Sequence, residues 1–185
     1  MAETGNLKPN ENLRRVEMVI AVLIDDMFED VEYTAPAKAF AEAGHKIVTI
    51  GIKKGAQVKG KKNNTIVSIE KEVSEVNPLD YDALFIPGGY SPDRLRANEA
   101  TVAFTKAFYE SKRPLFVICH APQILITADL LGGRKITGYK SIIQDIKNAG
   151  AEFIDNPVVV DENLISSRGP KDLPDFISAS LNALK

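Results

Sequence analysis

The chain has 185 residues, of which 44% are hydrophobic and 26% are charged, and these values predict one globular domain with a sizeable core. Its 23 basic and 25 acidic residues give a formal net charge of -2, which argues against an attraction to nucleic acid or to an anionic membrane. The longest apolar run, 18–24, is far shorter than the roughly 20 residues that cross a bilayer. We therefore expect neither a nucleic acid nor a membrane as a partner.

The chain contains one cysteine, Cys119, and two histidines, His45 and His120. One cysteine excludes an internal disulfide, and these three residues are too few for a four-ligand structural zinc site. The N-terminus lacks the pattern of a secretory signal, so a reducing cytoplasm is the expected location. We expect no metal and no cofactor.

Apolar runs and helical patterns alternate along the chain after a polar segment, 1–15, which predicts a flexible tail before a single domain over 16–185. Short β-branched runs predict strands that are buried on both faces of a parallel sheet. These runs lie at 16–24, 46–52, 82–89 and 114–120. Helices are predicted at 31–43, 93–111, 121–131 and 172–184. The alternation predicts an α/β fold, a mainly parallel sheet with helices on both faces.

Two β-hairpins are also predicted, one at 58–73 around Asn63-Asn64 and one at 158–167 around Glu162-Asn163. Lysines cluster in and before the first hairpin, at positions 53, 54, 59, 61 and 62. We interpret this cluster as a solvated hairpin, in preference to a binding patch, because the protein as a whole is weakly acidic.

Cys119 lies where an apolar run ends and a helix begins. Ligands of doubly wound sheets bind at the carboxyl ends of the strands, and amides at a helix N-terminus stabilise negative charge. A thiol there is expected to have a lowered pKa and to act as a nucleophile at a strained turn. The alternative is an inert buried cysteine. His120 favours the reactive interpretation, because a turn that redirects its ring would make it a general base or acid.

Two further segments end strands of the same predicted sheet. Gly88 and Gly89 follow the third strand, and the amides of both could join that of His120 in holding an oxyanion. Five carboxylates follow the first strand within 25–32. If the sheet brings Glu32 to Cys119, repulsion between the two negative charges predicts a raised Glu32 pKa. We expect no function for His45, which has no acid or thiol near it in the sequence.

Together these segments resemble the PfpI/ThiJ superfamily, and within it the intracellular protease I branch. The resemblance covers nearly the whole chain after the tail. It is carried by FEDVE at 28–32, EAGH at 42–45, IPGG at 86–89, SPDR at 91–94, ICHAPQ at 118–123 and SSRGPKDL at 166–173. The resemblance implies a flavodoxin-like three-layer sandwich and a homodimer or larger homo-oligomer.

The resemblance also implies roles for single residues. Cys119 would be the nucleophile with His120 beside it, and Glu32 would be the acid that contacts the thiol. Asp93 would supply the third catalytic carboxylate from a neighbouring subunit, although the branch can carry the longer glutamate there. Ala121 stands where the superfamily frequently has glycine, and we expect this small residue to preserve the turn.

The activities implied by the resemblance are peptide hydrolysis, glutathione-independent conversion of methylglyoxal to lactate, and removal of early glyoxal adducts from proteins. We therefore expect a cysteine-dependent stress-response enzyme whose substrate is a small reactive carbonyl, a glycated protein or a peptide. The alternative from another class is a redox-sensing stress protein or holdase chaperone, in which the cysteine is oxidised. A glutamine amidotransferase also has a cysteine elbow, but it needs a histidine well downstream, and none follows His120.

Overall fold

The computed structural model of the chain describes residues 16–62 and 64–185. The predicted tail, 1–15, and the turn residue Asn63 lie outside the described residues. The strands are β1 (Val19–Leu23), β2 (Lys46–Gly51), β3 (Gln57–Lys59), β4 (Ile66–Ser68), β5 (Lys71–Glu72), β6 (Ala83–Ile86), β7 (Leu115–Ile118), β8 (Lys135–Ile136), β9 (Glu152–Phe153), β10 (Val158–Asp161) and β11 (Leu164–Ser167). The helices are α1 (Asp30–Glu42), α2 (Ser91–Arg96), α3 (Glu99–Glu110), α4 (Pro122–Thr127), α5 (Ile143–Asn148) and α6 (Leu173–Asn182).

Seven strands form the central sheet in the order β10-β11-β7-β6-β1-β2-β5. All neighbouring pairs in this sheet are parallel except β10 and β11, which are antiparallel. The chain builds outwards from β1 to β2 and β5 and then crosses to β6 and β7 on the other side. The strand order therefore reverses between β1 and β6, where a sheet of this kind opens a crevice at its carboxyl edge.

Side chains that alternate along β1 enter two separate cores on opposite faces of the sheet. Ala21 and Leu23 belong to one core, and Ile20 and Val22 belong to the other. Helices α2 to α5 close the first core through Leu95, Phe104, Ile124 and Ile146. Helices α1 and α6 and the β3-β4 hairpin close the second through Phe40, Phe176, Val58 and Val67. The predicted three-layer α/β sandwich is confirmed.

Two predicted helices differ from the observed ones. The single helix predicted at 93–111 is wrong, because the side chain of Asn98 accepts a hydrogen bond from the amide of Thr101 at 3.1 Å and starts α3 as a separate helix. The helix predicted at 121–131 ends early, at Thr127, and Asp129 then takes a left-handed φ of 57°. Helix α5 and the short strands β8 and β9 have no counterpart in the prediction, and β5, which lies within the range predicted for the first hairpin, pairs with β2 of the central sheet.

Both predicted hairpins are present. Strands β3 and β4 pair antiparallel, and so do β10 and β11, whose turn places Glu162 at a left-handed φ of 52°. The second hairpin belongs to the central sheet, whereas the first is a separate two-stranded unit. Within 16–62 and 64–185, no helix has both the length and the apolar character needed to cross a membrane.

Candidate active site

Cys119 follows β7 directly and occupies a strained turn before α4. Its φ of 62° lies in the left-handed region, which costs a non-glycine residue about 1 kcal/mol. Two backbone hydrogen bonds hold the turn: the Cys119 amide donates to the Ser167 carbonyl at 3.0 Å, and its carbonyl accepts from the Tyr139 amide at 2.8 Å. The strained turn expected at the cysteine is confirmed, and the residue is only 5% exposed.

The turn brings the ring of His120 back to the thiol. Nδ1 of His120 lies 3.2 Å from Sγ of Cys119, and Nε2 lies 3.1 Å from Oγ of Ser141. Tyr139 stacks on the imidazole with ring centroids 4.7 Å apart. Burial lowers the pKa of His120 from its ordinary value, helped by the charge of Lys61, and this favours the neutral ring. A neutral ring whose Nε2-H donates to the serine hydroxyl presents a free lone pair on Nδ1 to the thiol.

Glu32 projects from the first turn of α1 and is fully buried against the thiol. Its Oε2 accepts a hydrogen bond from the Gly88 amide at 3.1 Å, and its carboxyl group also interacts with Cys119. Oε1 makes no hydrogen bond of ordinary geometry with the described residues. Burial raises the pKa of Glu32 from 4.5 to about 7, helped by the charge of Glu29. The predicted raised pKa is confirmed, with burial as the main cause.

The pKa of the Cys119 thiol is also raised, because burial and the Glu32 carboxylate both disfavour the thiolate. The amides of Gly89 and His120 lower this pKa, but to a smaller extent than burial raises it. The prediction of a lowered thiol pKa is therefore wrong, since α4 has only six residues and its dipole is small beside the desolvation of a buried sulfur. Near neutral pH the thiol and the carboxyl group together carry at most one negative charge.

The two glycines after β6 have different places in the site. The Gly88 amide is committed to Glu32, and a Cβ at this position would lie 2.6 Å from the Cβ of Cys119. The geometry therefore does not support the oxyanion role predicted for Gly88. Gly89 has a φ of 77°, and its amide faces the sulfur together with that of His120. These two amides remain the predicted oxyanion donors.

Asp93 lies in the first turn of α2 and is not bonded to the imidazole within this chain. Its carboxylate pairs with Arg96 at 3.1 Å, and its side chain is 57% exposed. Its charge nevertheless acts on His120, whose pKa it raises against the larger effects of burial and Lys61. The role predicted for Asp93 across a subunit interface stays a prediction.

Comparison with known proteins identifies the family. The model of the "DJ-1/PfpI family" matches residues 18–183. The chain belongs to the DJ-1/PfpI family. It is 53% identical over 166 residues to "Putative cysteine protease YraA" of Bacillus subtilis, with 90% of this chain and 98% of that protein covered. It is also 53% identical over 166 residues to "Protein/nucleic acid deglycase 2" of Escherichia coli, with 89% and 96% covered.

A solved structure from Anabaena variabilis shares the fold. That two-domain protein contains DJ-1/ThiJ/PfpI-like and ferritin-like domains, and it superposes with a TM-score of 0.89 at 38% sequence identity. The match covers 91% of this chain and 48% of the Anabaena chain. The sequence-based resemblance to the PfpI/ThiJ superfamily is thereby confirmed.

Lys61 is a site residue of this DJ-1/PfpI member that sequence reasoning missed. Its Nζ lies 2.9 Å from Glu29 and 5.2 Å from the centroid of the Tyr90 ring. Its positive charge lowers the pKa of Glu32 and is itself favoured by the thiolate form of Cys119. Lys61 is solvent-exposed, as expected for the lysine cluster, but its ammonium group is also an ion-pair partner within the site.

The first hairpin places Lys61 at the site because the hairpin packs against the loop between β1 and α1. Asp30 accepts hydrogen bonds from the amides of Lys62 at 2.9 Å and Thr65 at 3.1 Å. Nζ of Lys62 also pairs with Glu29 at 3.1 Å. A Cβ on Gly60 would overlap the Asp30 carboxyl group, so only glycine permits this approach. The sequence signal that could have indicated this close approach is Gly60, which comes directly before Lys61 and Lys62.

Ser141 is the second residue that sequence reasoning missed. It follows Tyr139 in the same short segment, which therefore contacts the Cys119 carbonyl, the face of the His120 ring and its Nε2 atom. His45 lies away from this site, where its Nδ1 accepts a hydrogen bond from the Met18 amide at 3.3 Å. The described residues contain no group of three or more potential metal ligands.

Proposed function

We propose that this chain is a cysteine-dependent enzyme that adds the Cys119 thiol to the carbonyl of a reactive aldehyde or of its adduct on a protein. The observation that carries the proposal is the contact of one strained sulfur with both a neutral imidazole, at 3.2 Å, and a buried carboxyl group of raised pKa. Acid, base and nucleophile are the three groups that addition to a carbonyl needs. The deglycase name of the Escherichia coli relative supports the same chemistry.

The first step would form a bond between Sγ and the carbonyl carbon. Because the resting thiol is protonated, His120 takes its proton through Nδ1 as the sulfur attacks, and the C=O electron pair moves to the oxygen. The amides of Gly89 and His120 face this position and stabilise the oxyanion. Return of the proton to oxygen gives a hemithioacetal.

For methylglyoxal, the hemithioacetal would then isomerise. A proton leaves the carbon bonded to sulfur, and another is added at the neighbouring carbonyl carbon, so that a thioester of lactate forms without an external oxidant. Water hydrolyses the thioester to lactate and restores the thiol. Glu32 is suited to move these protons, because a carboxyl group with a pKa of about 7 can both donate and accept near neutral pH.

Peptide hydrolysis at the same site is the second hypothesis, and the protease name of the Bacillus subtilis relative supports it. It requires an acyl-enzyme on Cys119 and protonation of the leaving amine by His120. The experiment that separates these hypotheses measures wild type and Cys119→Ala on methylglyoxal, on a glycated peptide and on casein. Turnover of methylglyoxal by Cys119→Ala at the wild-type rate would refute the proposal, and turnover of casein alone would favour the peptidase.

A redox sensor is the candidate from another class. The protonated Glu32 carboxyl would donate a hydrogen bond to a sulfinate oxygen on Cys119, which favours oxidation at this sulfur. Mass spectrometry after mild peroxide tests it, and an unmodified thiol argues against the sensor. We further propose a reducing cytoplasm as the location and a homo-oligomer as the working form, in which Asp93 reaches His120 of a neighbouring copy. A monomer in sedimentation experiments with full activity would contradict that role of Asp93.

A further inference from the structure

A cavity of about 410 Å³ adjoins the catalytic centre without opening onto it. Residues of two segments, 138–143 and 168–172, form most of the wall of this side cavity. Cys119, His120 and Glu32 do not line it. Its volume lies within the roughly 300–1,000 Å³ of pockets that bind small molecules. The side cavity therefore has the size of a ligand site that is separate from the site of the proposed reaction.

The apolar part of the wall suits a flat ring. It consists of two aromatic and two aliphatic side chains, those of Tyr139, Phe153, Ile143 and Pro170. Aromatic rings bury a large apolar area and pack well against other rings in offset or edge-to-face arrangements. A ligand with an aromatic body would be stabilised by these contacts.

Arg168 adds a charged anchor to the side cavity. Its Nε and Nη2 atoms bond to both carboxylate oxygens of Asp172, at 2.8 and 3.0 Å, whereas Nη1 bonds to Asp155 alone, at 2.9 Å. The Asp172 side chain is 12% exposed and that of Asp155 is 77% exposed. A single exposed ion pair contributes little stability, so a carboxylate in the cavity can replace Asp155 on Nη1 while the two bonds to Asp172 remain. Asp155 thus occupies the place of a ligand carboxylate.

The charge of the wall favours an anion over a cation. Both remaining charged residues that line the cavity, Lys140 and Lys171, are exposed and positive. Together with Arg168 they outnumber the two aspartates, so the wall has an excess of positive charge. Charge complementarity therefore points to a ligand that carries a negative group beside its apolar body.

Tyr139 belongs both to the side cavity and to the catalytic centre. Its ring stacks on His120 with centroids 4.7 Å apart, and its amide donates to the Cys119 carbonyl at 2.8 Å. Ser141, in the same segment, lies 3.1 Å from Nε2 of His120. A ligand that packs against Tyr139 favours the arrangement in which the tyrosine stays on the imidazole. Occupancy of the cavity then acts on the orientation of His120 towards the thiol.

We propose that the side cavity binds a small aromatic carboxylate, which displaces Asp155 from Arg168 and, through Tyr139, holds His120 against the Cys119 thiol. The site regulates the cysteine and does not receive the substrate. The regulatory part of this inference rests on the proposed function, whereas the binding part does not.

Three related probes test the binding part. Phenylacetate has both the ring and the carboxylate, phenylacetamide has the ring without the charge, and acetate has the carboxylate without the ring. Their affinities are measured by NMR titration of the backbone amides of Tyr139 and Ile143. We expect phenylacetate to bind wild type at least fivefold more tightly than either of the other two probes.

Substitutions at the charged anchor test the exchange of carboxylates. Asp155→Asn removes the competing group and should raise the affinity for phenylacetate roughly threefold to fivefold, whereas Arg168→Gln should lower it about tenfold. Asp175→Asn removes the same charge from an exposed residue outside the cavity, and it should change the affinity less than twofold. Equal affinities for phenylacetate and phenylacetamide, or an Asp155→Asn variant that binds like wild type, would overturn the site. The Asp155→Asn result decides even if Arg168→Gln does not fold.

The reactivity of Cys119 tests the regulatory part. The rate of alkylation by iodoacetamide at pH 7, followed by mass spectrometry, should rise roughly twofold to threefold in wild type at saturating phenylacetate. Tyr139→Leu keeps an apolar wall but has no ring on the imidazole, and its alkylation rate should not respond. An unchanged rate in wild type, or an equal rise in Tyr139→Leu, would overturn regulation through Tyr139.

These measurements separate a failure of the inference from a failure of the proposed function. Neither binding nor alkylation requires turnover, so both can be read even if wild type converts no carbonyl substrate, which would refute the proposed function alone. Competitive inhibition of methylglyoxal turnover by phenylacetate would overturn the inference, because the ligand would then occupy the substrate site.

Discussion

The raised pKa of Glu32 makes the stability of this protein depend on pH in a calculable way. A rise from 4.5 to about 7 corresponds to about 3 kcal/mol at 1.36 kcal/mol per pKa unit. Below pH 4.5 the group is protonated in both the folded and the unfolded state, so burial has no ionic cost. Between pH 4.5 and 7 the unfolded chain loses the proton while the folded chain keeps it, and the free energy of unfolding falls as the pH rises.

Glu32→Gln isolates this effect because glutamine is uncharged and can still accept the hydrogen bond of the Gly88 amide through its carbonyl oxygen. We expect the stability of wild type, relative to Glu32→Gln, to fall by about 3 kcal/mol between pH 4.5 and pH 8. Urea unfolding at several pH values measures the difference, in which the other titrating groups cancel. Glu42→Gln on the exposed side of the same helix is the control, and its difference from wild type should stay within about 0.5 kcal/mol.

Parallel pH profiles of wild type and Glu32→Gln would refute the reasoning. They would mean that the carboxyl group keeps an ordinary pKa in the folded protein, and that it therefore cannot hold a proton beside Cys119 at neutral pH. That result would also refute the proposed role of Glu32 in proton transfer.

Three further predictions concern the neighbours of the thiol. Ser141→Ala should lower the pKa of His120 further and reduce kcat roughly fivefold, since one hydrogen bond of about 1 kcal/mol is lost; NMR titration of the ring and recovery by Ser141→Thr test this. Gly88→Ala should lower the free energy of unfolding by about 3 kcal/mol and abolish activity, because the added Cβ overlaps the buried carboxyl group. Lys61→Met should reduce kcat more than Lys62→Met, although both lysines pair with the same buried glutamate, because the charge of Lys61 is coupled to the thiolate form of Cys119.

Matched changes identify the cause in each case. Gly132→Ala is the control for the glycine, since a Cβ at that position meets nothing within 4 Å, and it should leave stability and activity intact. An unchanged ring pKa in the serine variant would show that its hydroxyl does not orient the imidazole. Equal losses from the two lysine variants would indicate that both act only through the ion pair with Glu29.

Much of the sheet and part of the site were predictable because they depend on local sequence. Buried β-branched runs marked the four central parallel strands, and the residues that end parallel strands must meet at one edge. That rule is sufficient to bring Cys119, Gly89 and Glu32 to the same edge of the sheet. The break at Asn98 was less visible, because a capping side chain interrupts a helical pattern whose apolar spacing continues on both sides.

The rest depended on contacts between segments far apart in the chain. Lys61 comes to the site, where it pairs with Glu29, only because the first hairpin docks on the loop after β1, and Ser141 contacts His120 only because its segment folds back against the cysteine turn. The sequence also did not predict that the pKa of the thiol is raised. The sequence pattern predicted a helix N-terminus beside the thiol, which would lower its pKa. The burial that raises this pKa by more depends on how several elements pack together.

The left-handed conformation of Cys119 sets the stability of the fold against the position of the nucleophile. The packing of the two cores must stabilise the fold enough to offset the cost of this conformation, although these cores take no direct part in the reaction. A substitution that relaxes the turn would improve the resistance of the chain to unfolding while it moves the sulfur away from its partners. Thermostable variants selected for their fold alone would therefore tend to lose the nucleophile's position, and a screen for such variants has to retain an assay of the thiol.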